Sequence, residues 1–192
     1  KIRSIQVFVL GSSLNPGAYT VSSLSNVSNV LFFSGGPSNF GSLRRIEVKR
    51  NGEVVGSFDF YDLLLNGNTN NDIKIRSNDA IVINPTGKIV SLNGEVKNPA
   101  KFELLENETL EDLIKFASGF SNRADKNKIT ISRFAENGER IYKNIELSEI
   151  PNISLFDGDE IFVHKLSNTP RNIIHIKGET TAEGIVAYEE NL

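Results

Sequence analysis

The stretch Ile89 to Phe102, IVSLNGEVKNPAKF, decides how this chain is read, because a copy of it lies on either side. Upstream, Ile5 to Tyr19 reads IQVFVLGSSLNPGAY, and the pairs Gly11 and Gly94, Pro16 and Pro99, Tyr19 and Phe102 are each 83 positions apart. Downstream, Ile174 to Glu179 reads IHIKGE, with Gly178 lying 84 positions beyond Gly94. The chain is therefore a tandem repeat, and repeats set the architecture before any single residue does. Its units span residues 1–86 and 87–168, and residues 169–192 start a third, truncated copy or form a tail.

Composition sets the outer bounds. The 192 residues, 39% hydrophobic and 23% charged, suffice for two small cores. With 21 basic against 24 acidic residues the net charge is −3, so there is no positive field to hold nucleic acid or an anionic membrane. The absence of Cys excludes disulfides and thiolate metal sites. The absence of Met makes the sequence a processed product or a piece of a longer chain. No run of 18 apolar residues is present, so no helical membrane span is expected, and any anchor belongs to the parent outside this stretch.

Local patterns give the same order of elements twice. Ile5, Val7 and Val9 alternate with Gln6 and Phe8 as in a strand, and Asn15-Pro16-Gly17 turns the chain back into Ala18 to Val21. Val27, Val30, Leu31 and Phe33 fall at helical spacing and Gly35-Gly36 stops them. Arg45 to Arg50 alternates, Asn51-Gly52 is a hairpin turn, and Glu53 to Phe60 returns. Asp79 to Ile83 adds a closing strand. In the second copy Thr109 and Asp112 form a capping signature, Leu110, Leu113, Ile114 and Ala117 make one apolar face, and Gly119 ends it. Ile129 to Arg133 repeats Ile46 to Arg50, and Asp157-Gly158-Asp159 announces a last strand, Glu160 to Val163. Two strands, a helix, two strands and a closing strand over roughly 80 residues predict an α+β unit of β-grasp type, a small mixed sheet curled around one short helix. The short linkers Asn84 to Gly87 and Ser167 to Pro170 predict units held in a fixed relation.

These residues also carry a family resemblance. Asn93-Gly94-Glu95-Val96, Pro99-Ala100-Lys101-Phe102, Thr109-Leu110 and Ser118-Gly119-Phe120, followed by Asp157-Gly158-Asp159-Glu160-Ile161-Phe162-Val163, resemble the soluble-ligand-binding β-grasp (SLBB) domain of bacterial polysaccharide export proteins. Asp79-Ala80-Ile81-Val82-Ile83 is a weaker form of the same ending, with Asn78 in the place of the glycine. The first copy departs from the pattern at Gly11-Ser12-Ser13, and the third has Glu183-Gly184 for Pro-Gly and Val186 for the aromatic. The resemblance implies a non-enzymatic periplasmic module associated with the outer membrane through other parts of the parent. Its implied partners are the polysaccharide cargo, further copies in a ring, and the inner-membrane export and polymerisation machinery. No cofactor is implied.

Candidate residues follow from chemistry. His164 and His175 lack metal-site spacing, and Asp157 to Asp159 lacks the ligand series of a calcium loop, so it reads as a turn. Asn66 to Asp72 reads as a solvated loop. No nucleophile triad or phosphate-binding glycine loop occurs. Glu106, Glu108, Glu111 and Asp112 are abundant enough for an enzyme of polysaccharide, but they flank a helix start, where they stabilise its dipole. For glycan or subunit contact the candidates are Arg44, Arg45, Arg50 and Arg133, whose guanidinium groups can grip carboxylates in bidentate fashion, and Tyr61 and Tyr142, whose rings can stack on sugars. The alternative function is a soluble ligand- or saccharide-binding β-grasp module with no part in a conduit. It would require a concave pocket with converging polar groups.

Overall fold

The computed structural model describes residues 3–167 and the two short strands Ile173–Ile176 and Gly184–Ala187. In the first unit β1 (Ser4–Gly11) and β2 (Gly17–Ser22) form the expected hairpin, and α1 (Val27–Ser34) crosses one face. β3 (Gly41–Arg50) and β4 (Glu53–Phe58) form the second hairpin, α2 (Phe60–Asn66) follows, and β5 (Ala80–Pro85) closes the sheet. The second unit repeats the plan with β6 (Lys88–Gly94), β7 (Ala100–Leu104), α3 (Leu110–Phe116), β8 (Ala124–Phe134), β9 (Arg140–Ile145) and β10 (Glu160–Lys165). A 3-10 turn, Leu147–Asn152, stands where the first unit has α2.

The sheet orders are β2-β1-β5-β3-β4 and β7-β6-β10-β8-β9, so the two units share one topology. In each, the closing strand runs parallel to the first strand and antiparallel to the third, the mixed sheet of a β-grasp. The α+β reading holds. Alternate strand positions face the helix: Val7, Val9, Ile46, Val48, Ile81 and Ile83 bury against Val30 and Leu31 in the first unit. Val90, Leu92, Ile129, Ile131, Ile161 and Val163 bury against Leu110 and Leu113 in the second. Period-2 patterning on five strands and one apolar helical stripe is sufficient to close such a core.

Helix ends form where the sequence places them. Asn26 and Thr109 cap α1 and α3, each backbone N–H donating to a side chain three residues on, Asn29 at 3.0 Å and Asp112 at 3.1 Å. Gly35, in the left-handed region, ends α1. α2 and the 3-10 turn were not legible as such: Glu53 to Phe60 reads as one returning strand, but the chain turns at Asp59, whose carboxylate accepts from the Tyr61 amide at 2.7 Å. Asn66 is the last residue of α2, and the rest of the asparagine-rich segment is loop or turn. Beyond the second unit, β11 (Ile173–Ile176) pairs antiparallel with β12 (Gly184–Ala187). The landmarks Gly178 and Glu183 lie outside the described residues.

The repeated glycine has a steric origin. Gly11 and Gly94 lie at φ +77° and +85°, and a Cβ there would stand 2.3 Å from the Ile83 carbonyl oxygen and 2.1 Å from that of Val163. Only glycine lets the first strand pass so close to the closing strand. Gly94→Ala is expected to destabilise the second unit by roughly 2–4 kcal/mol, from positive-φ strain plus the clash, while Gly17→Ala, with nothing within 4 Å, leaves stability nearly unchanged. Urea titration followed by circular dichroism checks both.

Candidate functional site

Arg50 and Arg133, which recur at the end of β3 and β8, do the same work in both units. Arg50 donates from Nε and Nη2 to Asp79 at 2.8 Å each, and Arg133 donates from the same atoms to Asp159 at 2.8 and 2.7 Å. Each carboxylate also accepts a backbone N–H from three residues upstream, Arg76 at 2.7 Å and Phe156 at 2.8 Å. The turns between pass through positive φ at Asn78 (68°) and Gly158 (80°), so Asn78 does stand in for the glycine. A bidentate pair with an added amide closes the turn that launches each last strand. Burial pushes the Asp79 carboxyl up, but Arg50, the Arg76 amide and the adjacent charge overcome it and hold it below its ordinary value. The Asp157-Gly158-Asp159 segment is thus a turn, and among the described residues no group of three acids or histidines is placed to hold a metal.

Arg44 and Tyr61 lie at the joint between the sheets. The Arg44 side chain is 6% exposed and pairs with Asp59 at 2.9 Å and with Glu108 of the second unit. Its guanidinium lies over Tyr61 at 4.5 Å and over Phe116 at 5.1 Å, a cation–π contact in a dry setting. Burial lowers the Arg44 pKa, the bonds to Glu108 and Asp59 raise it, and the balance is upward. Tyr61, although it belongs to α2, joins the core of the second unit. Its hydroxyl accepts from the Glu103 N–H at 2.9 Å, on the edge strand β7, and burial drives its pKa up. The Glu103 carboxylate, 2% exposed, accepts from Ser42 Oγ at 2.7 Å, Leu43 N at 2.8 Å and Gly87 N at 2.8 Å. Arg45 remains 47% exposed beside it and donates to the Pro85 carbonyl at 2.8 Å.

Tyr142 stands on the outer face of the second sheet, 68% exposed, opposite Ser132 of β8. Exposed Phe134 and Phe162 share that face, and Arg140 lies 5.4 and 6.0 Å from the Phe134 and Tyr142 rings while pairing with Glu160. His164 reaches Thr130 Oγ1 at 2.9 Å and meets Phe162 edge-on. Aromatic faces interleaved with Thr130, Ser132 and Asn144 can stack on and hydrogen-bond a ring bearing hydroxyls.

The six candidates therefore divide: Arg44, Arg45 and Tyr61 gather at the joint, Arg50 and Arg133 sit in matching places of separate units, and Tyr142 stands alone on its face. Sequence reasoning missed Asp59, Glu103 and Glu108 as joint residues. A signal existed for Glu103, an acid inside the apolar strand Ala100–Leu104. Phe134, Phe162 and Arg140 were missed because a strand's period does not say which face stays uncovered.

Removing Arg44 leaves Glu108 and Asp59 without their cation. Arg44→Ala is expected to cost about 3–5 kcal/mol, as for a broken buried pair, and adding Glu108→Gln to recover part of that loss. Tyrosine fluorescence during urea unfolding reads both directly, since the chain has no Trp. The depressed carboxyls, Asp79 by the contacts above and Asp112 chiefly by the Thr109 amide, contribute stability that is complete above the ordinary carboxylate range. It is lost as pH falls through their folded values, so the melting temperature should hold above about pH 5 and fall from about pH 4 downward. Asp79→Asn should lower it at neutral pH and shallow the acid slope.

Among the described residues no helix is long and apolar enough to cross a membrane. The SLBB domain model matches twice, over residues 6–58 and 89–144. Two curated relatives, each a polysialic acid transport protein KpsD of Escherichia coli, are 33% identical over 103 residues, 53% of this chain. The match spans 18% of the length of those relatives. With both copies matched over more than half its length, the chain belongs to the SLBB domain family.

Proposed function

We propose that this chain is a non-enzymatic, periplasmic part of a polysaccharide export protein, in which SLBB modules form or buttress the conduit that the polymer passes through. The observation that carries the reading is the likeness to the polysialic acid transport protein over 103 residues, together with the doubled family match. The joint supports it: a wall element has to keep its modules at a fixed angle, and a buried network of Arg44, Glu103 and Tyr61 does so. In this reading the modules are residues 1–86 and 87–168, residues 169–192 enter a further module or tail, and the parent is held at the outer membrane by other segments. Copies pack side by side in a ring, and one end meets the inner-membrane export and polymerisation machinery. The outer face around Tyr142 and Phe134 is the surface offered to polymer.

A photo-crosslinking amino acid at Tyr142 in the full-length parent, in cells that make the host polysaccharide, tests this. The expected product is a saccharide adduct that disappears when polymer synthesis is blocked, with copy-to-copy adducts from probes elsewhere on the modules. Absence of saccharide adducts at Tyr142, Phe134 and Phe162 alike, with the parent still monomeric under crosslinking, would sink the conduit reading.

A further inference from the structure

The tandem repeat provides an internal comparison. Repeat-matched residues lie 83 positions apart up to β3 and 80 apart at the closing strand, and the hydrogen bonds keep that correspondence. Val27 N donates to the Ile73 carbonyl and Leu110 N to that of Ile153; Asn26 bridges Lys74 and Thr109 bridges Ser154. Arg76 and Phe156 give equivalent amides to Asp79 and Asp159. Lys74 thus matches Ser154, and Arg76 matches Phe156.

Beside each arginine–aspartate pair opens a cleft. In the second unit it is small, about 140 Å³, lined by Arg133, Ile141, Lys143, Ile153 and Ser154, with the Lys143 ammonium paired to Glu149 at 3.1 Å. Phe156 lies 4.0 Å over the Arg133 guanidinium, and Arg133 Nη2 also donates to the Ser154 carbonyl at 3.2 Å. In the first unit the same backbone frames a cleft of about 490 Å³, lined by Arg50, Val55, Ile73, Lys74, Ile75 and Arg76. Phe156 and Ser154 have been exchanged for two cations. Asp79 is the acid paired with Arg50, Glu53 lies opposite Arg50 in the β3–β4 ladder without an ion pair to it, and neither Lys74 nor Arg76 has a side-chain ion pair among the described residues. Three cations line the cleft and no acid does, in a chain whose net charge is −3, which concentrates positive potential at one concave place.

We propose that this cleft is a binding site for an anionic sugar unit, the carboxylate meeting Lys74, Arg76 and the free edge of Arg50 while the ring lies against Val55 and Ile73. The charge sets the class of ligand and the apolar wall sets it apart from a bare inorganic anion. The site rests on the reading that these modules face saccharide, but it lies in the first unit, away from the Tyr142 face. The second unit's version is closed by Phe156.

Amide NMR of the 192-residue chain with trigalacturonate, its methyl-esterified form and inorganic phosphate tests the assignment. Trigalacturonate is expected to move the amides of Arg50, Lys74 and Arg76, weakening as salt is raised, and the neutral ester to leave them in place. Lys74→Ser with Arg76→Phe, the lining that the second unit already tolerates, should weaken binding by about tenfold or more while the melting temperature is kept. Ser154→Lys with Phe156→Arg should create a second responding set around Arg133. Phosphate binding as tightly as trigalacturonate, or equal shifts with the ester, would overturn the assignment to a saccharide acid. No shifts around Lys74 and Arg76 would remove the site itself, and leave the crosslinking result at Tyr142 standing.

Discussion

The buried contact between Glu103 and the first unit is the constraint on which the relation of the two sheets depends. A carboxylate removed from water is tolerated only when donors surround it. Glu103 obtains them from Ser42, Leu43 and Gly87, which belong to the start of β3 and to the linker, so its need for donors fixes where those segments can lie. Tyr61 then covers the amide of the edge strand that Glu103 occupies, and Arg44 spans from Asp59 to Glu108 across the same seam. An edge strand left open would be free to pair with other chains; here a neighbouring unit occupies it. Among the described residues no buried side-chain nitrogen or oxygen lacks a partner, so the seam is satisfied as fully as either core.

Much of each unit was legible because its causes are local. A glycine repeated at Gly11 and Gly94, a turn at Pro16 and Pro99 and a capping pair at Thr109 and Asp112 each report on neighbours within a few residues. Together they fix a hairpin, a helix start and a close strand crossing. α2 was hidden because seven residues form it, and its cap at Asp59 follows a strand without a break in the apolar pattern. The role of Arg44 was hidden for another reason. Its partners lie 15 and 64 positions away, and a single sequence does not distinguish an arginine facing water from one that the next repeat covers. Tyr61 is hidden in the same way: its aromatic character suggests stacking, while the seam uses its ring as core and its hydroxyl as an acceptor.

The doubled architecture separates scaffold from surface. What both copies keep, the arginine–aspartate clamp and the crowded glycine, is what the fold requires. What they do not share, Lys74 and Arg76 against Ser154 and Phe156, or the aromatic face of the second sheet, is free of the fold and available to function. Duplication thus lets one backbone display two kinds of surface, one cationic and concave, the other aromatic and broad.

The joint has a further consequence for growth. It is heterologous, one side of the first unit against an edge of the second, and a contact of that kind, applied again, would extend a filament by the same rotation and step each time. The second unit presents its equivalent side with Asn127 in the place of Arg44, Glu146 in that of Asp59 and Ser148 in that of Tyr61, lining an open hollow. An amide and a small hydroxyl carry neither the cation nor the ring that locks the first seam. The recurrence is therefore broken in composition at its second step, and whatever unit docks there must do so by a different lattice of contacts, which frees its angle from the one before.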